Sequence, residues 1–284
     1  MSKLRRQMEV HMELRNFSPR TCQVYLSALD RFQRHFDGPL QRLGEEQIRE
    51  YLHFLIHDRG LSQAYVSQTY SALRILYERI LKRSWSIERI PRAKKARRLP
   101  VVLTQTEVQS ILQATASLRD RVIFTTVYSA GLRTSEVARL KVSDIDSQSM
   151  RIRVDLGKGA KDRFTLLAHT TLTLLRSYWK ACRPPQWLFT PDGRPDVPLS
   201  SRAIQKAFQD ALKKTGIQKP ATVRSLRHSF ATHLLDAGVD LYFIKQLLGH
   251  ANITTTTIYL HLSGKRLSQV TSPIDLWPSP PEGR

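Results

Sequence analysis

Residues 91–100, PRAKKARRLP, divide the chain. The stretch has a proline at each end, five lysines and arginines, and no acid. Like charges at that density repel one another and offer no apolar face, so the segment cannot join a packed core. It forces a folding unit on each side, and residues 89–102 are read as a basic linker. A solvated charge run is the plain reading of such a stretch. The basicity of the whole chain sets a second reading beside it, in which Arg92, Lys94, Lys95, Arg97 and Arg98 lie along a phosphate backbone.

Charge narrows the partner. The chain of 284 residues carries 45 Lys and Arg against 24 Asp and Glu, a formal net charge of +21. Such an excess calls for an anionic partner, and nucleic acid comes first because phosphate neutralisation releases counterions without any special motif. A membrane surface is the second candidate. No apolar run approaches the ~20 residues of a spanning helix, and MSKLRRQMEV lacks the core of a secretory signal. Two cysteines, Cys22 and Cys182, make neither a disulfide framework nor a zinc set. These features predict a cytoplasmic protein.

The fold class expected is mainly α with a small antiparallel β-sheet. Residues 1–88 read as a helical bundle. Ser18-Pro19 is a helix start, and Tyr25, Leu29, Phe32 and Phe36 then fall on one face. A second helix carries Ile48, Tyr51, Leu52, Leu55 and Ile56, and a third begins at Ser62. The second domain spans 103–271. Thr104 and Glu107 make a capping box between Leu103 and Val108, which are spaced for a hydrophobic staple. A helix over 119–129 ends at Gly131. RIRVDLGKGAKDRFTLLA alternates Ile152, Val154 and Leu156 with polar residues, turns at glycines and continues into a second apolar run: a β-hairpin. Helices are predicted over 169–182, 200–215, 225–237 and 241–248. The threonine run before Tyr259 suits a short helix packed on its neighbours. A proline-rich tail, 272–284, is expected to be weakly ordered.

Several residues in the second domain have chemistry to offer, though each taken alone has a plainer explanation. LGKGAKD lacks the spacing of a phosphate-binding P-loop and lies between strands. What it leaves is Lys158 at a hairpin tip. Arg224 and Arg227 stand at i, i+3 and so share a helix face suited to gripping a phosphate. His250 and Tyr259 are nine positions apart, which places them on opposite sides of an unbroken helix. The glycine in GHAN breaks that helix, so the two can cooperate across the turn. No paired carboxylates suggest a metal site, and neither metal nor small-molecule cofactor is expected.

Taken together, the order of these segments resembles the tyrosine recombinases of the phage-integrase family, and most closely the Xer-type and transposon-associated members. SAGLRTSEVARL is similar to the family's first arginine box and gives Arg133; LGKGAKDR gives Lys158. SLRHSFATHLLDAG gives Arg227, and LLGHANITTTTIYLHL gives His250 and the nucleophile Tyr259. RNFSPRTCQVYLSALDRF resembles the SAM-like core-binding domain. The resemblance covers residues 10–270. It implies a catalytic domain over 103–271 and a site-specific recombinase or integrase, serving a chromosome or mobile element, that cuts and rejoins double-stranded DNA through a 3′-phosphotyrosine. It further implies a homotetramer on paired sites, or a hetero-tetramer with a related recombinase, in the bacterial cytoplasm at the nucleoid. Glu136 would orient the arginines. One departure stands out: the family's histidine three residues before its second arginine is Arg224 here, with His228 beside the box as a substitute. The rival reading is a non-catalytic, sequence-specific DNA-binding protein, with the helices around DAGVD acting as a helix-turn-helix.

Overall fold

The fold is seen in a computed structural model, which describes residues 3–84, 99–155 and 162–260. Lys158, the linker residues Arg92, Lys94, Lys95, Arg97 and Arg98, and the proline-rich tail lie outside the described residues. Backbone contacts separate the chain into two units, dividing at Arg98–Leu99.

The first unit is helical. It contains α1 (Lys3–Leu14), α2 (Pro19–Phe36), α3 (Glu45–His57) and α4 (Gln63–Arg74), and α4 runs on into a π-helical stretch, Ile75–Ile80. Ser18 caps α2 by accepting from the Thr21 N–H, with proline at the helix start, and Ser62 caps α4 in the same way. The apolar faces meet as the spacing dictates. Leu29 and Phe32 of α2, Ile48, Tyr51, Leu52 and Leu55 of α3, and Val66 and Leu73 of α4 are buried. Ile56, expected on the same inner face, points outward instead. Among the described residues no helix is long and apolar enough to cross a membrane.

The second unit is built around α6 (Leu118–Ala130). From Val122 onward this helix buries residues on several faces, Val122, Ile123, Phe124, Thr126, Val127 and Ala130, so it is enclosed on several sides. Its neighbours are α5 (Gln105–Ala114), α8 (His169–Cys182), α9 (Ser201–Thr215) and α10 (Val223–Asp236). The capping box at Thr104 and Glu107 forms, and Leu103 and Val108 on either side of it are both buried. Helix α11 (Leu241–Leu248) lies against α10 and the sheet. The threonine run forms two 3₁₀ turns, Ile253–Thr255 and Thr257–Tyr259, rather than a continuous helix.

The sheet is antiparallel, with order β1 (Ile145–Asp146), β2 (Arg151–Val154) and β3 (Arg163–Leu166). Ile152 and Val154 face inward as their alternation requires. On β3 the pattern runs against hydropathy: Arg163 and Thr165 are inside, Phe164 and Leu166 outside. Register explains this, since Val154 pairs with Arg163 and Ile152 with Thr165, so those residues share the inner face. Inside, Thr165 Oγ1 donates to the Ala130 carbonyl at 2.7 Å, and Arg163 finds a carboxylate.

Gly131 closes α6 in the left-handed conformation, with φ of 63°. A methyl group there would come within 2.5 Å of the Phe230 ring and 3.1 Å of Leu248. Gly131→Ala combines a left-handed penalty with overpacking between α10 and α11. It should cost roughly 2–4 kcal/mol, read as a lower denaturation midpoint in urea.

Candidate active site

The site begins at the turn that Gly131 makes possible. Arg133 is the N-cap residue of a short helix, α7 (Thr134–Ala138), and Glu136 stands three residues on. That spacing lets the Glu136 carboxylate reach back to the Arg133 backbone N–H at 2.7 Å and to its guanidinium at 2.5 Å. From β3, Arg163 donates to both oxygens of Glu136, at 2.9 and 2.8 Å. Arg227 of α10 completes the set at 3.6 Å. Three guanidiniums around one carboxylate leave two positive charges uncompensated. Burial alone would push the Glu136 carboxyl up; the hydrogen bonds and charge of Arg163, with those of Arg133, outweigh it and hold it down at about 2.

Arg227 is buried and its donors are directed by the backbone. It donates to the Gly131 carbonyl at 2.6 Å and the Leu248 carbonyl at 2.7 Å. Its partner in the sequence motif, Arg224, is exposed. The two therefore do different things: Arg227 is fixed in the floor, and Arg224 reaches into solvent at the rim. Burial, then the Arg133 charge, draw Arg227 down to about 9, which leaves it a cation at neutral pH.

Gly249 ends α11 with φ of 63° and turns His250 into the cluster. A Cβ at Gly249 would sit 2.6 Å from Arg163 Cδ. His250 Nε2 lies 3.2 Å from Arg227 Nη2, and its Nδ1 lies 2.9 Å from Thr256 Oγ1. Arginine has no lone pair to offer, so Nε2 accepts and the ring proton sits on Nδ1, which donates to Thr256. Burial and the charges of Arg227, Arg133 and Arg163 lower His250 to about 4 and keep it neutral.

Tyr259 closes the second 3₁₀ turn, 1% exposed. Its hydroxyl meets His228 Nδ1 at 3.0 Å. Burial raises the phenol, and the charges of Arg227, Arg224 and Arg133 offset only part of that rise. His228 is itself lowered to about 4, by burial first and then by Arg224 and Arg227.

The structure thus brings Arg133, Arg227, His250, Tyr259 and Glu136 together, with Arg224 at the edge. Strands β2 and β3 pair at Val154–Arg163, and Arg163 is within the cluster. Two members were not legible as such. Arg163 reads as one charge among several in KDRF, and only its strand register turns it inward. Thr256, fully buried, is hidden in a run of four threonines.

The chain is similar to known proteins over most of its length. Residues 101–266 match the phage integrase family, and residues 4–87 match the phage integrase N-terminal SAM-like domain. The y4qK protein of Sinorhizobium fredii is 41% identical over 281 residues, covering 99% of this chain and 91% of that one. The tyrosine recombinase XerC of Pelotomaculum thermopropionicum is 32% identical over 286 residues, covering 90% and 92%. Among solved structures, a lambda integrase tetramer bound to a Holliday junction superimposes with a TM-score of 0.74 at 21% identity, covering 90% of this chain and 76% of that one.

Glu136→Gln tests the cluster. Removing one negative charge leaves Arg163 and Arg227 buried without compensation and should cost roughly 3–5 kcal/mol. The carboxyl is depressed from 4.5 to about 2, so its contribution is complete above pH 4.5 and drains away as pH falls toward 2. Acid should therefore destabilise the native protein by more than it destabilises Glu136→Gln, as measured by urea unfolding at a series of pH values.

Proposed function

The chain belongs to the phage integrase family, and from that premise we propose a site-specific tyrosine recombinase that cleaves and rejoins double-stranded DNA through a 3′-phosphotyrosine. The observation that carries this reading is the placement of a phenol in the field of three arginines, beside a carboxylate that holds two of them in position. Tyr259 attacks the scissile phosphodiester and the 5′-oxygen leaves. Arg133 and Arg227 stabilise the added charge on the pentavalent phosphorus. Preorganised donors of this kind are each worth roughly 3–4 kcal/mol, by analogy with oxyanion-hole deletions. His250 accepts from Arg227 through Nε2 and donates to Thr256 through Nδ1, which fixes its ring and holds Arg227 toward the phosphate. Lys158 protonates the leaving oxygen. Glu136 orients the arginines. The covalent ester keeps the energy of the broken bond, so a second 5′-hydroxyl reseals the strand without ATP or metal.

The basic linker residues Arg92, Lys94, Lys95, Arg97 and Arg98 would follow the DNA backbone. Exchange between two duplexes calls for several subunits, and we assign the protein a homotetramer on paired sites, or a hetero-tetramer with a related recombinase. The lambda integrase tetramer on its Holliday junction supports this by fold alone. A surface feature supports it independently. Phe164 and Leu166 of β3, with Leu234, Val239, Phe243 and Leu247, line an open apolar groove of about 390 Å³. We assign this groove to the segment GKRLSQVTSPIDLW of a neighbouring copy, whose sequence offers Leu267, Val270 and Ile274 as apolar contacts. Action on bacterial DNA puts the enzyme in the cytoplasm, at the nucleoid.

A DNA-binding protein without catalysis would use α11 as a recognition helix. Its outward face presents Tyr242 and Phe243, at 56% and 60% exposure, and Phe243 lines the apolar groove. That suits a protein contact better than a major groove.

A nicked substrate that loses its 5′ fragment after cleavage should trap a covalent protein–DNA adduct. Tyr259→Phe should abolish the adduct and leave DNA binding within about twofold. A gel shift without an adduct from the native chain would sink the recombinase reading and leave the binding one. DNA affinity should also fall steeply with salt, with a log–log slope set by the number of phosphates neutralised; a flat dependence would count against the charged DNA track.

A further inference from the structure

We propose that His228 is the catalytic base of this site: its Nδ1 takes the hydroxyl proton of Tyr259 as the Oη–phosphorus bond forms. This deepens the recombinase reading and rests on it. The phenol and His228 Nδ1 are 3.0 Å apart, and among the described residues this is the hydroxyl's one hydrogen bond. The other groups around the phenol are unable to accept its proton. Arg133, Arg224 and Arg227 are cations with no lone pair. His250 is nearby, but its Nε2 accepts from Arg227 and its Nδ1 faces Thr256. At the position where the family carries a histidine, this chain has Arg224, which cannot serve. His228, one residue beyond Arg227 on α10, sets Nδ1 against the nucleophile, and in its Nε2–H tautomer that nitrogen offers a lone pair to the hydroxyl.

The surroundings suit that role. A base must be uncharged before it acts, and burial together with Arg224 and Arg227 keeps this imidazole neutral. An incoming phosphodiester brings negative charge beside those arginines. It offsets their effect on the ring, so His228 becomes more basic when substrate is bound. The balance of the step is complete. The Oη–P bond forms, the P–O5′ bond breaks, the phenol proton passes to Nδ1, and the 5′-oxygen receives a proton from the acid assigned to Lys158. On resealing, the 5′-hydroxyl attacks the phosphotyrosine and gives its proton back to the group assigned to Lys158, while the His228 imidazolium returns its proton to the departing phenolate.

His228→Asn retains a hydrogen-bonding group near the Nδ1 position but cannot take the proton. Its single-turnover cleavage on the nicked substrate, at saturating DNA, should be slower by roughly a hundredfold or more, with DNA affinity unchanged. Incorporating 3,5-difluorotyrosine at position 259 makes the phenol more acidic, and the His228→Asn deficit should then shrink at least tenfold. His228→Ala should regain cleavage with added imidazole, and the rescue should rise with the basicity of the imidazole used. A His228→Asn enzyme as fast as the native one overturns the proposal, and a faster one shows that the contact merely holds the tyrosine back. A deficit untouched by difluorotyrosine and by imidazole shows a structural role and overturns it too. If the native enzyme forms an adduct that needs Tyr259, any of those results defeats the base assignment alone. If it forms none, the recombinase reading fails first and takes this proposal with it.

Discussion

Glu136 is a carboxylate withdrawn from water, and an ion so placed is tolerable only when it is paired and fully hydrogen-bonded. Both conditions are met by arginines from different parts of the chain: Arg133 from the start of α7, Arg163 from β3 and Arg227 from α10. The carboxylate therefore fixes the helix cap, the strand register and the packing of α10 at one point. It also solves a problem the arginines would otherwise have, since three guanidiniums crowded together repel one another. One negative charge is enough to assemble them and too little to neutralise them, and the remainder is available to an external anion.

Burial and that remainder act together on His250, His228 and Tyr259. His250 and His228 stay neutral because protonation would add a charge to a buried, already positive pocket. The tyrosine experiences the opposite balance, with burial disfavouring the phenolate and Arg227, Arg224 and Arg133 favouring it. A phosphate diester entering such a pocket relieves repulsion among the arginines and releases the histidines from their depression. The same field that attracts the substrate is thus altered by its arrival in the direction that proton transfer needs.

Much of this arrangement was legible in the sequence because it rests on local rules. The caps at Ser18, Ser62 and Thr104 and the glycine stop at Gly131 are each decided within a few residues, and they set helix limits closely. The boxes carrying Arg133, Arg227, His250 and Tyr259 could be read as candidates for the same reason: each is a short motif in a fixed order. What escaped was decided at a distance. The inward turn of Arg163 follows from its pairing with Val154, and hydropathy argued for Phe164 instead. The two-residue strand β1 is too short to show a period. His228 stood in plain view beside Arg227, but its importance comes from a contact with a residue thirty-one positions away. Arg224 and Arg227 share a helix face in sequence terms, yet only tertiary packing puts one in the floor and the other at the rim.

The regularity of the chain also falls off in a particular order through the site. Arg133 and Arg227 are held by helix termini and backbone carbonyls, and Arg163 by a paired strand. Tyr259 is instead carried by a three-residue 3₁₀ turn, itself following another. Such turns have poorer hydrogen-bond geometry and few bonds to break, so they rearrange at small cost. A hydroxyl on a residue that is 1% exposed must move, or be uncovered, to meet a phosphodiester held outside. The division is physically sensible. Charge stabilisation demands donors that do not reorganise when the transition state forms, whereas the nucleophile we propose, buried in the absence of DNA, belongs on a segment that can shift without disturbing them.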